Sequence, residues 1–289
     1  MSERLEVRRT AKLFVGGAFP RSESGRSYEV AAADGTFLAN AALASRKDVR
    51  DAVTAARKAQ PGWAATTAYN RGQILYRVAE LLEGRAAQFI DEVASAEGVD
   101  LDEAARLVEE SVDRWVWYAG WSDKIAMVAG SSNPVAGPYF NFSVPEPTGV
   151  VAVLAPQASS LLGLVSVLAP AIVSGNTVVV VASEARPLPA VSLGEVLATS
   201  DVPGGVVNIL TGHTAELAPV LASHMDVNAI DLCGAPAADV AELERLAAEN
   251  VKRVVRPGRN GEPDWLAEPT PRRMLALTET KTVWHPQGL

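Results

Sequence analysis

The chain carries one thiol, Cys233 in "DLCGAP", and three imidazoles, His213, His224 and His285. A nucleophilic cysteine acts as a thiolate, and a metal site needs several ligands at close spacing. The histidines are far apart and show no metal-ligand spacing, so no metal is expected. On residue type alone, a lone cysteine after an apolar run reads as a small buried side chain. The loop "PQASS" offers Gln157 and Ser159 as hydrogen-bonding groups and is expected to be solvated. No G-x-G-x-x-G follows an apolar run, so the ordinary dinucleotide fingerprint is absent.

These residues lie at the ends of a regular series. "GVVAVLA", "TVVVVA", "VVNIL", "NAIDL" and "VKRVV" are apolar runs of strand length. Helical stretches separate them: 161–174, one from about 188, "TAELAPVLASH" and "PAADVAELERLAAE". Buried strands alternating with helices specify an α/β fold with a doubly wound, mostly parallel sheet of Rossmann-like type.

Upstream, Ser45 opens a helix with Val49, Ala52, Val53 and Ala56 on one stripe. Three more stripes follow: Ile74, Leu75, Val78, Leu81 and Leu82; then Phe89, Ile90 and Val93; then Ala104, Leu107, Val108, Ser111 and Trp115. "LFVGGAFPRSESGRSYEV" reads as a hairpin or arm ahead of this helical layer. "SSNPVAGP" is a turn cluster. In "YFNFSV", Phe140, Phe142 and Val144 alternate with Tyr139, Asn141 and Ser143, as in a half-exposed strand of a hairpin. "RPGRNGEPDWLAEPTPRR", with Pro257, Pro263, Pro269 and Pro271, reads as a linker, and "MLALTETKTVW" as one last strand. The expected divisions are an arm and helical layer (1–123), a hairpin (124–148), an α/β core (149–256), a linker (257–272) and a terminal strand (273–289).

A hydrophobic fraction of 48% and a charged fraction of 21% are those of a soluble globular chain. A net charge of −8 repels nucleic acid and anionic membrane, so neither is an expected partner. One cysteine permits no internal disulfide, and with no apolar leader the expected compartment is the cytoplasm. The longest apolar run, 161–173, is too short to span a bilayer.

The order of motifs resembles the aldehyde dehydrogenase superfamily. "LFVGGAF", "DVRDAVTAARKAQPGW", "YAGWSDKI", "PEPTGVVAVLAP", "LAPAIVSGNTVVV", Ser183-Glu184, "PGGVVNILTG" and "LASHMDV" follow that family in sequence, and "TETKTVW" is similar to its end. The resemblance implies the family's cofactor domain with a small β oligomerisation element. It also implies that the second domain, which carries the catalytic cysteine between "VKRVV" and the terminal strand, is replaced here by the proline-rich segment.

By the same resemblance, the chemical positions are altered. Ala158 stands where the family has its oxyanion asparagine, Gln157 where it has tryptophan, and Pro257 where it has the general-base glutamate. Neither alanine nor proline can supply those groups. Cys233 falls in the cofactor domain, at the hydroxyl position before the glycine of the phosphate-binding turn. Val181 replaces a ribose-binding lysine, Ala235 the turn's serine, and Asp239 its second glycine, while Pro236 removes an N–H from the turn. Ser183, Glu184, Gly212 and Gly234 remain as a vestigial NAD pocket, so no catalytic residue and no cofactor are expected.

What is kept is architectural. The resemblance implies an oligomerisation sheet formed by Phe140, Phe142, Val144 and the strand Thr280, Lys281, Thr282, Val283 and Trp284. An exposed sheet edge and an uncovered apolar face point to an obligate partner. The expected role is an inactive subunit that joins, and stabilises or regulates, an intact aldehyde dehydrogenase in a hetero-oligomer. The alternatives are a residual dinucleotide sensor and an active NAD-dependent aldehyde dehydrogenase.

Overall fold

The computed structural model describes residues 9–258 and 261–288; residues 1–8 of the expected arm and 259–260 of the expected linker lie outside the described residues. The chain opens with β1 (Thr10–Ala11), β2 (Ser27–Ala31) and β3 (Phe37–Ala42), then α1 (Arg46–Ala65), α2 (Ala68–Glu83), α3 (Ala86–Glu97) and α4 (Leu101–Ala119). A short α5 (Ile125–Ala129) precedes β4 (Ser131–Asn133) and β5 (Tyr139–Pro147). The α/β core runs β6 (Val150–Leu154), α6 (Leu162–Val173), β7 (Thr177–Val181), α7 (Leu188–Thr199), β8 (Val207–Leu210), α8 (Thr214–Ser223), β9 (Ala229–Asp231), α9 (Val240–Ala248) and β10 (Arg253–Val255). Then come α10 (Arg272–Ala276) and β11 (Thr278–Pro286).

The core sheet is five-stranded, in the order β10-β9-β6-β7-β8, and wholly parallel. The chain runs outward from β6 through β7 to β8, then crosses back to place β9 on the other side of β6. The topological switch point therefore lies between β6 and β9, where open α/β sheets place ligands outside the strands' carboxyl ends. Every residue of β6, α6 and β7 is buried. That is why these segments are apolar all round rather than along one stripe.

The helical layer forms where the stripes predict. Ser45 caps α1 in a reciprocal box: its hydroxyl accepts from Asp48 N, and Asp48 Oδ2 accepts from Ser45 N at 2.7 Å. The arm crosses to the far edge of the sheet, where Phe14 N donates to Ile209 O and Ile209 N donates back. Among the described residues no helix is long and apolar enough to cross a membrane.

Four boundaries differ from those the sequence predicts. Residues 125–129 of the expected hairpin are helical. α9 begins at Val240 rather than near 236, because Pro236 and the two alanines after it form a turn that closes with Asp239 N donating to Pro236 O. The terminal segment is helical over 272–276, entered from Pro271 with its preset φ, and becomes a strand only at Thr278.

The fourth difference is the largest: the proline-rich segment is a strap fixed to the body. The Arg114 guanidinium, buried on α4, donates to Trp265 O at 2.7 Å and Ala267 O at 3.2 Å, and Tyr118 Oη donates to Thr270 O. Trp265 and Leu275 pack against the main core, and Met274 and Leu277 are part of it. The strap therefore covers apolar surface that the sequence reading leaves open.

One buried carboxylate sits outside these features. Glu92 Oε1, between α3 and α7, accepts from Gln88 Nε2 and Ser192 Oγ, while Oε2 is buried without a partner. Burial pushes its carboxyl above the usual range. The folded state thus holds this proton more tightly than the unfolded state, and its stabilisation is present at low pH and lost as pH rises through the folded pKa. Glu92→Gln keeps the accepting oxygen and removes the charge. Its melting temperature should exceed the parent's by about 2–4 °C at pH 8 and match it near pH 4, read by thermal melts at both pH values.

Candidate functional site

The residues singled out in the sequence gather at the carboxyl ends of the parallel strands. The β6–α6 loop supplies Gln157 to Ser160, the end of β7 Ser183 and Glu184, the end of β8 Gly212 and His213, and the end of β9 Asp231, Cys233 and Gly234. What distinguishes the place is that most of its polar groups are satisfied by the chain's own atoms.

The β6–α6 loop is held from three sides. Glu262 of the strap accepts through Oε1 from Gln157 N at 2.5 Å and Ala158 N at 2.9 Å, and through Oε2 from Trp265 Nε1 at 3.1 Å. Glu97, at the end of α3, accepts from both Ser160 N and Ser160 Oγ at 2.6 Å. Ser159 Oγ, two residues ahead of the Leu161 N-cap, accepts from Gly163 N in the first turn of α6 at 2.9 Å. The loop is only partly solvated, against the sequence reading: Pro156, Ser159 and Ser160 are buried and Gln157 half-buried, while Ala158 is exposed. Two internal carboxylates occupy amides that would otherwise attract an external anion.

Ser183 Oγ donates to Gln157 O at 3.0 Å, and Glu184 N donates to Gln157 Oε1 at 3.0 Å. The Glu184 carboxylate takes His213 Nδ1 at 2.7 Å and Thr214 N, the first amide of α8, at 3.2 Å. Tyr28 closes the group from β2, its hydroxyl donating to Glu184 O; burial, then the Glu184 charge, raise that phenol. Gly212, at φ +147°, makes the turn, and a Cβ there would meet Ala44 N at 3.2 Å. The structure thus joins Glu184 to a histidine that sequence reasoning leaves on an unremarkable loop. Nothing in their spacing, twenty-nine residues apart, signals it.

At the switch point, Asp231 is wholly buried and forms an ion pair with Arg273 of α10, while its Oδ1 accepts from Cys233 N at 3.0 Å. Cys233 is buried, and its thiol is pushed up to about 12 by desolvation first and by the Asp231 charge second. At neutral pH it is a thiol, the unreactive form. Sequence reasoning missed Arg114, Glu262 and Arg273, which act through the strap and α10, and also Tyr28, Glu97 and Asp231, which reach the site from distant or buried positions.

A cleft of about 140 Å³ lies between α8 and α9, lined by Thr214, Ala215, Pro219, Pro236, Asp239 and Glu242. Thr214 Oγ1 is buried and unpaired there. Small-molecule sites span roughly 300–1,000 Å³, so the cleft is undersized, and two carboxylates oppose a phosphate. No group of three or more His, Cys, Asp or Glu side chains among the described residues is placed to hold a metal.

Away from the crevice, and apart from the β1-β3-β2 sheet of the arm, β11-β5-β4 form a separate antiparallel sheet. Val283 pairs with Phe142, Lys281 with Val144, and Glu279 with Glu146. Asn141 and Ser143 face the body, with Asn133 Nδ2 donating to Asn141 Oδ1 and Ser143 Oγ, and Ser143 bonded to Thr282 Oγ1. Phe140 stacks on Phe142 and is 47% exposed; Trp284, edge-on to Tyr139, is 59% exposed.

Comparison with known proteins matches this architecture. The aldehyde dehydrogenase family model matches residues 19–259. The chain is 33% identical to cytosolic 10-formyltetrahydrofolate dehydrogenase of Pongo abelii over 86% of its own length and 28% of that protein's. It is 33% identical to retinal dehydrogenase 2 of Mus musculus, over 86% of this chain and 48% of that one. The NAD+ complex of aldehyde dehydrogenase from Bacillus cereus superposes with a TM-score of 0.81 at 27% identity, covering 85% of this chain and 50% of that chain. The chain thus spans half or less of the length of these relatives. With its family model matched over residues 19–259 and its parallel sheet in the same order of elements, the chain belongs to the aldehyde dehydrogenase family.

Proposed function

We propose that this chain is a catalytically inactive aldehyde-dehydrogenase-like subunit. It joins an intact aldehyde dehydrogenase through the β11-β5-β4 sheet and stabilises or regulates it, in a reducing, cytoplasmic setting. The observation that carries the reading is the contrast between two regions. The crevice at the switch point is filled by Glu262, Arg273 and the strap, whereas the small sheet leaves Phe140 and Trp284 open to solvent.

Aldehyde oxidation by thiohemiacetal needs a thiolate, a donor for the oxyanion and a base for the water. Cys233 is a buried thiol, Ala158 has no side-chain donor, and Pro257 has no proton acceptor. The residues present do not fit NAD either: Glu184 is taken by His213, the loop amides by carboxylates, and the α8–α9 cleft is undersized. Co-expression with an intact family member, followed by affinity capture and native mass spectrometry, should give a mixed oligomer. The purified chain should form no NADH from aldehydes, and Cys233→Ala should change nothing. Turnover by the isolated chain overturns the reading.

A second reading, a nucleotide sensor, is favoured by the unpaired Thr214 hydroxyl in the α8–α9 cleft. Calorimetric titration with NAD and NADP separates the two: heat at sub-millimolar ligand supports a sensor, and silence removes it.

A further inference from the structure

We propose that β11 pairs with β11 of a second copy of this chain, in antiparallel register about Thr280, joining two small sheets into one of six strands. The proposal concerns the isolated chain and does not depend on the partnership with an intact enzyme.

Among the described residues, β11 is bonded only on its β5 side, so its outer backbone groups form an open edge nine residues long. Such an edge is a template for another strand unless something covers it. The register follows from charge. Glu279 lies directly opposite Glu146 across the β11–β5 ladder, a like-charge pair that disfavours the sheet. The chain compensates in part, with Lys281 Nζ donating to Glu146 Oε1 at 2.8 Å and Arg253 bridging to Glu279. A cation directly opposite Glu279 on the open side would complete the row.

A second copy supplies one. Side chains two apart on a strand share a face, so Glu279 and Lys281 point the same way. A two-fold axis through Thr280 sets Glu279 against the other copy's Lys281, twice over. Registers centred on Glu279 or Lys281 instead bring like charges together. A register centred on Thr282 leaves Lys281 opposite Val283. The axis stands perpendicular to the sheet, so Phe142, Val144 and Val283 of both copies fall on one continuous face. Such a contact is isologous and closes as a dimer.

The test exploits this self-complementarity. Sedimentation velocity on the full chain at tens of micromolar should show a dimer. Glu279→Lys makes both edge charges positive and Lys281→Glu makes both negative, so each variant alone should dimerise about ten-fold or more weakly. Mixed one to one, the two variants restore both opposite-charge contacts, and native mass spectrometry with one chain isotope-labelled should find the mixed dimer in excess. A monomeric parent, or a parent dimer that neither variant weakens, overturns the proposal. Variants weakened alone but not rescued on mixing also overturn it, because a fold defect would not be complementary. Because β11 belongs to the sheet proposed to dock on an intact enzyme, the two contacts would compete, but these readouts use this chain alone and so fail or succeed separately from capture by an enzyme.

Discussion

Arg273→Ala should destabilise the protein by about 3–5 kcal/mol, the cost of leaving one member of a buried ion pair uncompensated. Asp231 is fully buried at the carboxyl end of β9, and Arg273 from α10 is its cation. Without it the carboxylate keeps the bond from Cys233 N but faces the core cluster around Met274 and Leu277. The expected fall in melting temperature is about 10 °C. Because Arg273 tethers the helix that leads into β11, the loss should be largest there. Limited proteolysis should cut 257–286 first, and Trp284 fluorescence should change below the global transition. Replacing both partners by apolar residues, Asp231→Leu with Arg273→Met, should recover part of the loss, since a buried pair adds little over well-packed hydrophobes. A melt unchanged by Arg273→Ala would mean that the strap and the terminal sheet are held by Arg114, Tyr118, Glu262 and the packing of Trp265, Met274 and Leu277 without help from the ion pair.

That dependence explains what the sequence could and could not convey. The α/β core was legible because β6 to β9 are buried on both faces, and burial leaves an apolar run such as "TVVVVA" bounded by turn residues. The stripes of α1 to α4 were legible for the same reason at a different period. The strap was not legible: four prolines in a short stretch read as a linker, and proline does end regular structure. What makes the segment part of the body is Arg114 donating to the carbonyls of Trp265 and Ala267, some 150 residues away in sequence. No local period records a backbone carbonyl's distant donor. Glu262 is a similar case. A single glutamate in "NGEPDW" gives no sign that it closes the amides of Gln157 and Ala158.

The candidate site divides along the same line. Its members were named from the family resemblance, and the structure gathers Ser183, Glu184, Gly212 and Gly234 at one edge of the sheet. Their engagements were invisible in sequence, since those depend on His213, Glu97 and the strap reaching them through the fold. In the small sheet the alternation of "YFNFSV" was readable, but not which face meets the body. There Asn141 and Ser143 turn inward, with Asn133 donating to both and Ser143 bonded to Thr282, although the Asn141 Nδ2 is left buried without a partner. The aromatic face is thereby left outward, and this supports a docking role for Phe140 and Phe142.

Gly234 gives the sharpest separation between a retained ligand position and a retained piece of architecture. In a phosphate-binding turn, glycine lets an anion approach the backbone, and adding a methyl group would harm binding while sparing the empty protein. Here Gly234 N donates to Leu154 O at 2.9 Å, and a Cβ at this position would stand 1.8 Å from Ala155 O and 2.6 Å from its carbonyl carbon. Both are backbone atoms at the end of β6, the central strand, so no side chain can swing aside. Gly234→Ala must therefore part the β9 turn from the β6 loop. Gln157 and Ser183 would lose their shared contacts with that loop, and the ligand-free protein should lose about 3 kcal/mol or more. Urea titration at unchanged m-value reads the loss, with Cys233→Ala as the neighbouring control, expected to cost less because it only trims a small side chain. If Gly234→Ala unfolds at the parent's urea concentration, the glycine is not kept for packing, and a ligand at that turn becomes the better reason for it.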